Sequence, residues 1–473
     1  MKKIIFAIAI SLLIFSCKTT EETIEPQITP EPIAPTIPQE EVEKTFEVPN
    51  FAKDLQSTLK NKSLEEALLL FENIPEEFAN DKDLNYLHAS LLISSDNTDK
   101  ATEIIDSLLL QEPTNTEYQF LQALVLKQEG KSKESKTVLD QIIQQDPTNV
   151  DANVELANSY MTINNFSLAN KYFLQALNGD DESPMALFGH ALASWYLKND
   201  DDAEAALDKL IEVDPENSLA WSYLSKFSAD KGNYKDAVKY MEKSVEYDPN
   251  YYFNWLELGS YYQKIDELEK AEEAWTRAIE IDPEYFLAYA YRGGMRDENN
   301  NYEGALSDYN NVVKYNPEYY FAYESMGILY WGKDNWQESR NAFLKAYEEN
   351  PTNSSYALMI SATYKKEGNS FKNKEFLTAA MKKVNRDSLD YQMLRLYYDE
   401  LGDSALLTKV VNEKDSAIRG KMLFYLALFY EMKELDHLAT QYYLEVVDMQ
   451  APMFFEYRLC EWAIDDKKNS NQN

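Results

Sequence analysis

Seven prolines limit what this chain can fold into: Pro113, Pro147, Pro215, Pro249, Pro283, Pro317 and Pro351 follow one another at intervals of 34 residues, or 68 where one rung is missing. Each stands in the same local text, with an acid or Asn before it and a polar turn after it, as in Asp146-Pro147-Thr148-Asn149 and Asn350-Pro351-Thr352-Asn353. Proline lacks an amide hydrogen and has a fixed φ, so it stops one helix, and the turn behind it starts the next. A period of this length marks an array of helical hairpins, each too small to bury its own apolar face and stacked on its neighbours. A chain of 473 residues then needs no single large core, because such an array grows unit by unit.

The unit is clearest over residues 252–285, where Trp255, Leu258, Gly259, Tyr262, Ala271, Trp275, Ala278 and Pro283 recur as large, Leu, small, Tyr, Ala, aromatic, Ala and Pro. With these eight positions the sequence resembles a tetratricopeptide repeat (TPR) array. Two helices cross closely where small residues meet, here Gly259 and Ala278, while the large ones fill the space beside them. Steps of 34 place repeat starts at Val48, Lys82, Thr116, Val150, Pro184, Ser218, Tyr252, Phe286, Tyr320, Ser354 and Ser388. Ala67, Ala101, Ala169, Ala203, Ala237, Ala271 and Ala305 all fall at one small-residue position. A shortened unit of 32 residues leads to a last copy from Gly420, with Leu426, Ala427, Tyr430, Ala439 and Tyr443 in register. The resemblance implies an all-α fold, a right-handed superhelical solenoid of about twelve hairpins. Residues 48–453 form the array, 454–464 a C-terminal helix that caps its open end, and 465–473 a polar tail.

The amino terminus carries a separate message. Lys2 and Lys3 precede an apolar run over residues 4–15, too short to span a bilayer comfortably, and Ser16-Cys17 is followed abruptly by polar sequence. Residues 1–16 read as a secretory signal, and Ile14-Phe15-Ser16-Cys17 resembles the lipobox of bacterial lipoproteins, which implies lipidation of Cys17 and stable anchoring by its acyl chains. Residues 17–47 contain Pro26, Pro30, Pro32, Pro35 and Pro38 among Glu and Thr, a composition that cannot bury a core and suits an extended tether.

The formal charge is −35, which argues against nucleic acid as a partner. Its carboxylates are spread over nearly every repeat, as a solvated outer surface requires. No catalytic residue, metal site or cofactor motif is expected. Cys460 is the only thiol besides Cys17, so no Cys-based site forms, and His88 and His190 both stand at the seventh position of a repeat, where Leu258 packs in the clearest copy. The run from Asp297 to Asn301 begins like a calcium loop but has Tyr302 where the turn needs Gly. Ser57-Thr58-Leu59-Lys60 lacks the partner motifs of a penicillin-binding fold.

What remains is a surface. In the TPR family the first helix of each repeat lines the concave face, and its second, fifth, ninth and twelfth positions contact ligands. By register these include Phe188, Leu192 and Trp195; Phe253 and Leu256; and Phe321, Ile328 and Trp331, with Asp297 and Glu324 among them. The implied groove is mainly apolar and aromatic. Family members that clamp a peptide carboxylate use Lys and Asn at positions held here by Ala52 and Gln56, then Tyr86 and Ser90. The expectation is a non-enzymatic, membrane-tethered scaffold binding protein partners through its concave groove, lipid-anchored in the bacterial envelope. The periplasmic face of the outer membrane is the first site, the inner membrane or cell surface the alternatives. A second reading, from a different class, is a carbohydrate-binding lipoprotein gripping peptidoglycan or host glycan with exposed rings and carboxylates. Coplanar exposed rings would favour it, a continuous apolar groove the protein partner.

Overall fold

The computed structural model describes residues 48–450 and 454–470. The signal at 1–16, Cys17, the tether to residue 47 and the last three residues lie outside them. All regular structure in the described residues is helical, and it divides into two units, up to Ala220 and from Trp221 onward. No helix among the described residues is long and apolar enough to cross a membrane.

First helices begin at Val48, Lys82, Thr116, Val150, Pro184, Ser218, Tyr252, Phe286, Tyr320 and Ser354, the residues where the 34-residue register places them, and then at Leu389 and Ser416. The two departures are capping effects. Ser388 stands just outside its helix, its hydroxyl accepting from the Tyr391 amide at 3.2 Å, and Asp415 starts the last first helix before Gly420 by accepting from Ala417 and Ile418 at 2.9 and 3.0 Å.

The turn inside each hairpin is as periodic as the prolines. A residue in the left-handed region occurs at Asp96, Gly130, Asn164, Lys198, Gly232, Asp266, Asn300, Asp334, Gly368 and Gly402, every 34 residues, and then at Glu434, 32 further on. Except at Gly402, where Glu400 has already ended the helix in the left-handed region, the following amide closes the helix end by reaching back five residues, as in Asn97 N to Leu92 O at 2.8 Å and Asn301 N to Arg296 O at 2.8 Å. Asn then serves twice, since Asn165, Asn301, Asn335 and Asn369 also cap the second helix with their side chains. A proline-free rung is tolerated before Pro184 because that proline occupies the first helical turn itself.

Packing follows the register. The seven alanines of the small-residue position are fully buried, and where the position holds Ser135 or Ser339 the hydroxyl donates to the facing first helix, at Ala123 O and Gly327 O, 2.7 and 2.8 Å. At Gly259 the nearest neighbour is the Trp275 indole rather than Ala278, 2.5 Å from where a Cβ would stand.

The C-terminal helix differs from the expected cap. It runs Phe455–Ser470, through the stretch expected as a polar tail. It packs on the last hairpin, but it also reaches back to the first helices that begin at Phe286, Tyr320 and Ser354. Phe455 lies 5.9 Å from Phe343 and stacks at 6.4 Å on Tyr356. Leu459, Cys460 and Ile464 join the largest apolar cluster of the second unit. An amphipathic helix with this much apolar surface buries more of it inside the curl of several repeats than on a single end face.

Candidate functional site

In the first unit, Phe188, Leu192 and Trp195 lie half-buried along the helix Pro184–Tyr196, with Trp195 5.1 Å from Tyr196. In the second, Phe253 is half-buried and Phe321 is 52 % exposed. Leu256 and Ile328 are corrections to the groove: at 3 % and 6 % exposure they belong to apolar clusters. Leu256 and Ile328 are consumed between adjacent helices, whereas Leu192 and the rings stay partly exposed. Trp331 is half-buried against Trp336 at 4.8 Å, edge to face, and with Trp462 it lines a cavity of 420 Å³.

The C-terminal helix accounts for this covering. The Arg458 guanidinium donates twice to the Asp297 carboxylate, at 2.6 and 3.0 Å, and lies 4.4 Å from the Trp462 ring. Asp297 is thus held by an arginine, and the loop it opens has no carboxylate left over for calcium at that position. Trp462 meets Tyr302 edge-on at 5.6 Å and lies over Gly332, 2.6 Å from where a Cβ would stand. The sixth, ninth and twelfth positions of these first helices, at Ser325, Ile328 and Asp297, therefore face the chain's own helix across a 510 Å³ cavity.

One carboxyl on that helix is out of place by ordinary rules. Glu456 is fully buried, accepts from the Tyr425 hydroxyl at 2.8 Å, and has no partner for its second oxygen. Burial raises its pKa above the usual carboxylate value of 4.5. The sign follows. The folded state holds the proton more tightly than the unfolded chain, so this stabilisation is complete below pH 4.5 and is lost as pH rises through the raised folded value. Glu456→Gln should therefore flatten the fall in melting midpoint between pH 4.5 and 8 and exceed wild type at neutral pH. Parallel pH profiles of the two proteins would show Glu456 to be ionised and paired.

Away from the C-terminal helix, a second feature lies largely outside the groove positions that the register assigns. Residues 251–253, 285–286 and 319–321 place eight rings in one continuous row, successive centroids 4.1–6.4 Å apart. The row begins two residues after the proline in three consecutive rungs. In four other rungs that position holds Asn115, Asn149, Asn217 or Asn353, each capping the next helix by accepting from a first-turn amide at 3.0 Å. Tyr251 and Tyr285 cap with extended backbones and Tyr319 at φ −77°, ψ 77°, and none of the three makes a side-chain cap bond. An Asn cap contributes about 0.5–2 kcal/mol, so three repeats give up helix stability at the same place. The replacement of Asn by Tyr was visible in the sequence. Neighbouring rings are mostly inclined, by 33–70°, with only Tyr320 and Phe321 stacked at 29°. They form no flat sugar platform.

His88 and His190 are packing groups. His88 stacks on Phe71 at 4.4 Å and His190 is held by Asn170, and burial lowers the pKa of each. Among the described residues no three His, Cys, Asp or Glu gather as metal ligands do.

Family models of the tetratricopeptide repeat match residues 58–125, 188–252, 254–285 and 296–354. Those stretches are tetratricopeptide repeats, and the class they define is the repeat array, typically a protein-interaction scaffold. No curated protein matches the chain. Among solved structures, MamA is 31% identical over 34% of this chain and 94% of its own, with a TM-score of 0.32. YrrB, described as a TPR protein with an unusual peptide-binding site, is 19% identical over 39% of this chain and 95% of its own, with a TM-score of 0.35. The C-terminal part of a TPR repeat-containing protein from Cytophaga hutchinsonii is 16% identical over 57% of this chain and 97% of its own, with a TM-score of 0.40.

Proposed function

We propose that this protein is a membrane-tethered, non-enzymatic scaffold that holds protein partners on the first-helix face of its repeats in a bacterial envelope. The observation that carries the binding half is the ring row at residues 251–321, where three repeats replace a capping Asn with a Tyr and leave Phe321 half exposed. An apolar ring kept at the surface at the expense of local stability is the composition of a contact surface. The anchoring half rests on the sequence of residues 1–17, and the tether through residue 47 would let the array stand off from the membrane. The periplasmic face of the outer membrane is the compartment proposed.

Anchoring is tested by Cys17→Ser in cells fed a labelled fatty acid. The variant should lose the label and appear in the soluble fraction or as unprocessed precursor. Label retained by the variant would exclude Cys17 as the lipidation site.

A further inference from the structure

We infer that the ring row at residues 251–253, 285–286 and 319–321 seats an arginine-bearing segment of the protein partner; this rests on the scaffold reading and adds the partner's chemistry. Two independent features point the same way. The first is the surrendered cap in three consecutive repeats, each loss placing a Tyr ring beside the next repeat's rings: Tyr252 lies 4.7 Å from Tyr285, and Phe286 5.3 Å from Tyr319. The row is open at both ends, where Tyr251 is 46 % and Phe321 52 % exposed.

The second is charge. The row is set in a chain of net charge −35, and Asp282 adjoins it, its carbonyl accepting from the Tyr285 amide at 3.3 Å; burial raises the pKa of Tyr252 and Tyr285, with the Asp282 carboxylate adding to both shifts and the Glu257 carboxylate to that of Tyr285. The Asp282 carboxylate accepts only the Glu284 amide, and Glu257 the Tyr261 hydroxyl at 2.8 Å; neither forms an ion pair within the described residues. A cation of this chain already uses the margin of the row, where the Lys226 ammonium lies 5.8 Å from the Phe253 ring. Rings with unpaired carboxylates beside them repel anions and attract cations. Guanidinium fits better than ammonium, because its plane stacks on a ring while its edge donates to a carboxylate.

The test uses the purified chain and a labelled peptide of six Arg-Gly pairs, with Lys-Gly and Glu-Gly peptides as comparisons, at about 0.15 M salt, where long-range attraction is screened beyond ~8 Å. Two variants are needed. Tyr251→Asn with Tyr319→Asn restores the capping residue of the other rungs, so its melting midpoint should hold while peptide binding falls. Phe321→Ser removes a half-exposed ring and provides the decision if the Asn pair fails to fold. Saturable binding of the arginine peptide is expected, at least about threefold tighter than lysine and weakened roughly tenfold by each variant. Wild-type affinity in the folded variants, or equal binding of the arginine and lysine peptides, would overturn the inference. A chain indifferent to the arginine peptide that still crosslinks to a protein in cells would refute this chemistry and leave the scaffold reading standing.

Discussion

Deleting residues 451–473 should lower the melting midpoint of the second unit by roughly 10–20 °C. The deleted segment buries Phe454, Leu459 and Ile464 to 7 % exposure or less, and each such side chain contributes about 1.5–3 kcal/mol when fully removed from water, so roughly 5–9 kcal/mol is at stake. That figure is an upper estimate against a realistic unfolded chain. Deletion also strands the Asp297 carboxylate and uncovers the apolar flanks of Tyr356 and Gly332. Coupling in a repeat array is between neighbours, so the first unit's transition should stay in place while the second unit's moves. Calorimetry of the two proteins measures both at once. An unchanged second transition would mean that the helix is an appendage, and that the first-helix positions it covers are free.

Gly259→Leu should cost about 3 kcal/mol. The new side chain has nowhere to go: the Trp275 indole stands 2.5 Å from its Cβ, is fully buried, and donates to Leu256 O at 3.1 Å. Overpacking of this kind costs about 1–3 kcal/mol, and turning the indole away gives up a buried hydrogen bond of about 1 kcal/mol. A denaturant titration reads the loss directly. Wild-type stability would mean that Gly259 is not at a close helix contact.

Most of the hairpin architecture was legible because the period is written twice, in the prolines between hairpins and in the alanines at the small-residue position inside them. The positions of ten first helices follow from one spacing, and the two that drift do so where Ser388 and Asp415 offer a local cap. The place of the C-terminal helix was not legible. Arg458 and Asp297 are 161 residues apart in the chain, and nothing in the local pattern of either says that they meet. The groove positions were half legible for a related reason: register gives the direction a side chain leaves its helix, but whether Leu256 or Ile328 ends in a cluster depends on what packs opposite. The ring row could have been found by asking why three rungs depart from Asn. Its departure from the better helix cap is a local loss, and that is the kind of signal a repeat consensus hides.

The scaffold reading itself is tested most directly by a photo-crosslinking amino acid introduced at Phe321, on the ring row, and separately at Arg277, a 45 % exposed side chain on a second helix, each in the cell of origin. A discrete covalent product of higher mass is expected from position 321 and none from 277. Products from neither position, or equally from both, would contradict a partner-binding surface on the first-helix face.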